Sequence, residues 1–129
     1  MTNAHSETDM AHSRRQDALN ESAVLGEAVI NAGRKLGFSG DEVGNIIGRS
    51  RTTINRNGVD PHSKSGEIAL MVVRVYRSLY ALIGRDETHL REWMRSPIRS
   101  LQAVPADMMH RIDGLVTLTR YLDAMRGRV

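Results

Sequence analysis

One apolar stripe in the second half of the chain constrains the fold more than any other feature. Between residues 65 and 83, large apolar side chains recur every three or four positions, which is the spacing of one face of an α-helix. The members of the stripe are Ile68, Met71, Val72, Val75, Tyr76, Leu79, Leu82 and Ile83. The spacing predicts a long helix from Ser65 to Ile83, ended by Gly84. We expect this helix to form the spine of the core, because so wide an apolar face has to be covered by other elements.

The composition favours helices as those covering elements. Aromatic residues make up 4% of the 129 residues, whereas there are 7 methionines, so the core depends on aliphatic and methionine side chains that suit helix packing. We therefore expect an all-α fold. Hydrophobic residues at 40% and charged residues at 26% are typical of a soluble globular protein. The length allows one domain, or two small helical modules that share a core.

Several classes of chemistry find no support in the sequence. Cysteine is absent and the 5 histidines are scattered singly, so we predict no metal and no cofactor. The acidic pairs Asp41-Glu42 and Asp86-Glu87 lie at predicted helix starts, where the helix dipole explains them without acid-base catalysis. No nucleophile elbow or phosphate-binding glycine loop is found, so we do not expect an enzyme. No apolar run is long enough to span a membrane, and we expect a cytoplasmic protein without a membrane partner.

Helix-breaking residues and changes in composition divide the chain into four parts. Residues 1–18 are polar and lack apolar periodicity, which predicts a disordered N-terminal arm. Residues 19–64 are predicted to form a helix-turn-helix region that begins with a helix from Asn20 to Leu36. Residues 65–84 form the long connecting helix, and residues 85–129 form a compact C-terminal domain. The long helix, rather than a flexible linker, is expected to join the two modules.

Two short predicted helices lie on either side of Gly48. Ser39 is placed to cap the first helix, and Ser50 is placed to cap the second, which ends before Asn57-Gly58. Ser39 to Asn57 resembles the Cro/cI-type DNA-binding unit found in the N-terminal part of many Xre-like antitoxins. The resemblance implies that the second helix enters the major groove of DNA.

The outward face of this second helix carries the candidate DNA-binding residues. With Ile54 turned inward, the outward positions are Arg51, Thr52, Asn55 and Arg56. We predict that Arg51 and Arg56 contact phosphate or guanine, and that Thr52 and Asn55 contact bases or sugars. The net charge of +3 permits such binding. The alternative is that the two helices only pack and their arginines stay solvated.

The segment from residue 82 to the C-terminus has its own order of aromatic, proline and glycine residues. In sequence order its markers are Trp93, Pro97, Leu101, Pro105, Asp107-Met108-Met109, Gly114, Leu122 and Gly127. The pattern predicts one helix from Pro105 to Gly127. The predicted inward stripe of this helix is Met108, Ile112, Leu115, Leu118 or Thr119, Leu122 and Met125. Trp93 is predicted to pack this domain against the long helix.

This order of residues resembles the C-terminal toxin-binding domain of the MbcA/ParS/Xre antitoxins, whose partners are RES-domain toxins. Family members usually carry glycine shortly before the second proline, where this chain has Gln102-Ala103-Val104. The resemblance implies an antitoxin that covers the cleft of an NAD-consuming toxin with its last helical turn and tail. The implied toxin-binding residues are Met125, Arg126, Gly127, Arg128 and Val129.

The resemblance also implies a DNA-binding repressor of its own promoter. Such a repressor is expected to act as a homodimer or as a higher assembly with the toxin, because paired half-sites require a symmetric protein. The main alternative is a dimeric helix-turn-helix regulator that has no toxin partner. An enzyme is the third and least supported class, since no catalytic constellation is present.

Overall fold

The computed structural model describes the backbone of residues 3–127 and the side chains from residue 6 to residue 127. Over this range the chain forms seven α-helices and no β-strand, so the all-α prediction is confirmed. The helices are α1 (Asn3–Lys35), α2 (Gly40–Ile47), α3 (Arg51–Asn57), α4 (Lys64–Ile83), α5 (Glu87–Arg95), α6 (Pro105–Met108) and α7 (Ile112–Gly127). Arg128 and Val129, two of the predicted toxin-binding residues, lie outside the described residues.

The two short helices begin and end where the capping residues predicted. The Ser39 hydroxyl accepts the N–H of Glu42 at 3.1 Å, and the Glu42 carboxylate accepts the N–H of Ser39 at 3.0 Å, which is a reciprocal capping box. The Ser50 hydroxyl accepts the N–H of Thr53 at 3.1 Å at the start of α3. Gly48 ends α2 in the left-handed conformation, with φ of 80°, which glycine adopts without a steric cost.

Helix α1 is longer than the sequence analysis predicted. It begins at Asn3 instead of Asn20, so residues 3–18 are helical where a disordered arm was expected. Every side chain from Ser6 to Glu21 is exposed, so the missing apolar periodicity reflects the absence of a buried face. It did not indicate the absence of helix. Neither glycine nor proline occurs before Gly26, and extending an existing helix costs far less than starting one.

The prediction of a single helix from Pro105 to Gly127 is wrong, because the chain turns at residues 109–111 and divides it into α6 and α7. The turn buries Met109, which is 1% exposed, and leaves Ile112 61% exposed, although the predicted stripe placed it inward. Gly114 permits this arrangement. A Cβ atom there would lie 2.5 Å from the carbonyl oxygen of Met108, so a larger residue would push the two helices apart.

Helix α4 is the spine of one shared core. It packs against α1 on one side and α7 on the other. The buried residues of α4 are Gly66, Ala69, Val72, Val73, Val75, Ser78 and Leu79. They form a continuous apolar cluster with residues of both modules, including Leu36 and Leu118. Trp93 is half-buried and packs against this cluster, in agreement with the packing role predicted for it.

Candidate functional site

The C-terminal end of α7 lies at the surface of the molecule. Met125 is half-buried, whereas Arg126 and Gly127 are exposed. Nothing lies within 4 Å of the position where a side chain would start at Gly127. Of the five predicted toxin-binding residues, the three that the structure describes therefore form the final turn of one exposed helix end.

Two polar contacts attach this end of α7 to α4. The Arg74 guanidinium binds the Asp123 carboxylate through two nitrogens, at 3.2 Å and 2.6 Å. One turn further along, the Arg126 guanidinium donates to the Ser78 hydroxyl at 3.3 Å. Ser78 is 1% exposed, so Arg126 bridges the protein surface and a buried group of α4. The sequence analysis missed these contacts, which join residues far apart in the chain.

A tight loop contacts α7 at Tyr121, and a surface ion pair lies at the start of the helix. The N–H of Ile98 donates to the carbonyl of Ala103 at 2.9 Å, and the Ser100 and Tyr121 hydroxyls are 2.9 Å apart, which fastens the loop to α7. At the start of α7, hydrogen bonding to Arg111 is the largest cause that lowers the pKa of Asp113. Both side chains are exposed, so this pair shapes the surface more than it stabilises the fold.

One continuous segment contains Ser78 of α4, the loop before α6 and the end of α7. Residues 78–128 match the antitoxin Xre/MbcA/ParS C-terminal toxin-binding domain. This segment belongs to that family. The match confirms, for this segment, the resemblance found from the tryptophan, proline and glycine order. No curated protein matches the chain at a significant level.

The toxin-binding domain begins within α4, at Ser78. The last two turns of α4 are therefore part of the domain, and Arg74 lies just before it. A seam of polar and aromatic side chains connects the domain to the N-terminal module. The Arg95 guanidinium lies over the Phe38 ring at 5.6 Å and donates to the Gly37 carbonyl at 3.0 Å.

The same seam contributes to the lowered pKa of Glu42, which caps α2. The His110 ring meets the Phe38 ring edge-on at 5.8 Å. The pKa of Glu42 is lowered, chiefly because the backbone N–H of Ser39 hydrogen-bonds to its carboxylate, with smaller contributions from the charges of Arg95 and His110. The charges of Arg95 and His110 therefore make a small contribution to the lowered pKa of the carboxylate that caps α2.

The candidate nucleic-acid interface lies on α3. Ile54 is 3% exposed, and the four predicted contact residues, Arg51, Thr52, Asn55 and Arg56, are all exposed. The side chain of Arg51 lies back over the first turn of α2, since a Cβ atom at Gly40 would come 2.9 Å from its Nε atom.

A groove of about 670 Å³ runs between α1 and α3. Asn55 and Arg56 line it from α3, and Asn31 and Arg34 line it from α1. The sequence analysis missed the two α1 residues, because only the packing of the helices brings them beside α3. The groove places Asn31 and Arg34, together with the acidic Glu27, beside the predicted recognition residues.

The described part of the chain holds no group of three or more histidine, aspartate or glutamate side chains that could bind a metal ion. None of its helices is long and apolar enough to cross a membrane.

Proposed function

We propose that this antitoxin neutralises an NAD-consuming RES-domain toxin by covering its active cleft with the last turn of α7 and the tail that follows. The family match over residues 78–128 supports the proposal most directly, since the matched domain is a toxin-binding domain. The exposed helix end supports the same mechanism, because a projecting segment fits a cleft better than a flat surface does.

The chemistry of the tail suits such a cleft. Arg126 and Arg128 carry guanidinium groups that bind carboxylates in a bidentate manner. Met125 offers a flexible apolar contact, and Gly127 lets the backbone approach closely. Inhibition by occlusion needs no catalytic group on the antitoxin, in keeping with a protein that is not an enzyme.

Truncation and charge reversal test this mechanism. Deletion of Gly127–Val129, or Arg126→Glu combined with Arg128→Glu, is expected to weaken binding to the toxin encoded beside the antitoxin by about 10- to 100-fold, a range typical of central interface residues. The thermal midpoint of the deletion variant is expected to stay unchanged, since Gly127 is exposed at the end of α7, whereas Arg126→Glu also removes the hydrogen bond to Ser78 and is expected to lower the midpoint slightly. Binding is measured by calorimetry with the purified toxin, and neutralisation is measured by growth after co-expression.

A matched control lies on the same helix. Arg120 is exposed on α7, about two turns before the tail, so if only the last turn and the tail enter the cleft, Arg120→Glu is expected to leave neutralisation intact. Full neutralisation by the truncated chain would contradict occlusion by the tail.

A second part of the proposal is DNA binding through α3. Arg51, Thr52, Asn55 and Arg56 are exposed together, which supports contact with the promoter and autoregulation as a homodimer or a larger assembly with the toxin. The same exposure also favours the alternative function, a dimeric transcription regulator without a toxin. Co-purification with a toxin, together with rescue of growth, supports the antitoxin. A dimer that binds DNA and captures no toxin supports the alternative.

A further inference from the structure

We infer that Ser78 and Arg74 of α4 are positioning residues for toxin binding: they hold the last turn of α7 in the orientation in which it meets the toxin. This inference rests on the proposed function. It assigns a role to residues that are not part of the tail, and to one residue, Arg74, that precedes the matched domain.

The contact between Arg126 and Ser78 is the strongest support for this inference. Arg126 is exposed, but its Nη1 atom lies 3.3 Å from the hydroxyl of Ser78, which is 1% exposed. A partner protein cannot reach so deeply buried a hydroxyl without rearranging the domain. Any effect of Ser78 on toxin binding must therefore pass through Arg126 and the last turn of α7.

The second contact strengthens the first and fixes the direction of the helix end. Arg74 and Asp123 are separated by 49 positions in sequence, and Ser78 and Arg126 by 48. Nearly equal separations mean that α4 and α7 run parallel, so the two contacts follow one another along both helices. The two contacts lie one turn apart near the end of α7, and no described residue lies within 4 Å of the position where a side chain at Gly127 would begin. The orientation of the last turn of α7 is thus set at these contacts.

Fixing the helix end in advance matters because helix ends fray. A frayed end would have to become ordered when the toxin binds, and that ordering lowers the affinity. Loss of either contact is therefore expected to weaken binding. In the alternative arrangement, Arg126 has to break its hydrogen bond to Ser78 before it can contact the toxin, and this makes a different prediction. In that case removal of the Ser78 hydroxyl would free Arg126 and would leave the affinity unchanged or raise it.

Ser78→Ala distinguishes these two arrangements. Alanine is small and favours helix, so the variant is expected to fold. We expect its affinity for the purified RES-domain toxin to be lower by about three- to tenfold, the size of effect that ordering one or two side chains has on binding. In the free chain, hydrogen exchange at the amides of residues 123–127 is expected to be faster. Arg111→Ala removes the ion pair with Asp113 at the opposite end of α7 and is expected to leave that exchange unchanged.

Charge reversal across the ion pair supplies a rescue test. Arg74→Asp and Asp123→Arg are each expected to weaken toxin binding and to speed exchange at the end of α7. The double variant restores opposite charges and is expected to regain part of both properties. A residue with a merely general effect on stability would give additive losses instead of recovery.

The outcomes separate this inference from the proposed function. If tail truncation leaves the affinity unchanged, the occlusion mechanism is wrong. If truncation weakens binding but Ser78→Ala and Arg74→Asp leave affinity and hydrogen exchange as they were, only the positioning role is overturned. An affinity that rises in Ser78→Ala also overturns it.

Discussion

Gln102 occupies a backbone conformation that favours glycine. Its φ of 52° places it in the left-handed region, and it is the one non-glycine residue to do so among residues 3–127. This conformation costs an ordinary residue roughly 1–2 kcal/mol, whereas glycine loses about 0.5–1 kcal/mol through its larger chain entropy. Gln102→Gly is therefore expected to raise the free energy of unfolding by about 0.5–1 kcal/mol, measured by urea unfolding.

A neighbouring residue provides the control for this prediction. Arg99 lies in the same loop with an ordinary negative φ, so Arg99→Gly is expected to lower stability, as glycine usually does. A loss of stability in Gln102→Gly would contradict the left-handed conformation. The expected gain also agrees with the glycine that family members usually carry in this region.

Glu42 links the stability of the fold to pH. Its pKa is lowered because its carboxylate accepts the N–H of Ser39, so the ionised form stabilises the folded state. That contribution is complete above the ordinary pKa of the carboxyl group and is lost as the pH falls through its lower value in the folded protein. Glu42→Gln is expected to lower the free energy of unfolding by about 0.5 kcal/mol at neutral pH, from the loss of a charge at a helix start. Chemical unfolding of both proteins at several pH values tests this, and a difference of the same size in strong acid would contradict it.

Helix boundaries were predictable where a local signal sets them. Ser39, Ser50 and Gly48 act within a few residues of themselves, and the limits of α2 and α3 followed from them. The start of α1 and the break between α6 and α7 depend instead on helix propagation and on tertiary packing. Those are properties of the folded chain that apolar spacing alone does not contain.

The candidate sites divide in the same way. The exposed face of α3 followed from helical periodicity once Ile54 was placed inward, and the structure places all four side chains at the surface. The contacts of Ser78 and Arg74 with α7 join residues 48 and 49 positions apart. No local pattern indicates which serine or arginine of α4 meets which residue of α7, so only the packed structure identifies them.

DNA binding by α3 is tested by its dependence on salt. Arg51→Ala combined with Arg56→Ala removes two predicted phosphate contacts. Each contact is expected to contribute about one unit to the slope of log affinity against log salt concentration. The double variant is therefore expected to bind the native promoter fragment more weakly and with a slope smaller by about two, measured by fluorescence anisotropy at several salt concentrations.

Two exposed arginines of the C-terminal half provide the control. Arg85 and Arg120 carry the same charge at exposed positions, so their combined replacement by alanine tests whether total charge alone explains the effect. An equal loss in both double variants would contradict a specific role of α3. Absence of promoter binding by the unmodified chain would contradict the repressor proposal itself.

At the scale of the whole molecule, the two modules share one core. Helix α4 contributes its buried face to both modules, and the apolar cluster is continuous from α1 to α7. The seam of Phe38, Arg95 and His110 also joins the two modules. A toxin bound at the end of α7 therefore acts on a body that is continuous with the DNA-binding candidate. This arrangement favours unfolding as one unit, since neither module keeps a complete core without α4.

Leu36→Ala tests this continuity. Leu36 is a fully buried residue of the N-terminal module, and its truncation is expected to lower the free energy of unfolding by about 2–5 kcal/mol. Trp93 is the single tryptophan and lies on α5 in the toxin-binding domain, so its fluorescence reports the unfolding of the other module. With one shared core, the fluorescence midpoint and the circular-dichroism midpoint shift together by the same amount. A circular-dichroism transition that moves to lower denaturant while the Trp93 transition stays in place would mean that the modules unfold separately, and that α4 connects two independent cores.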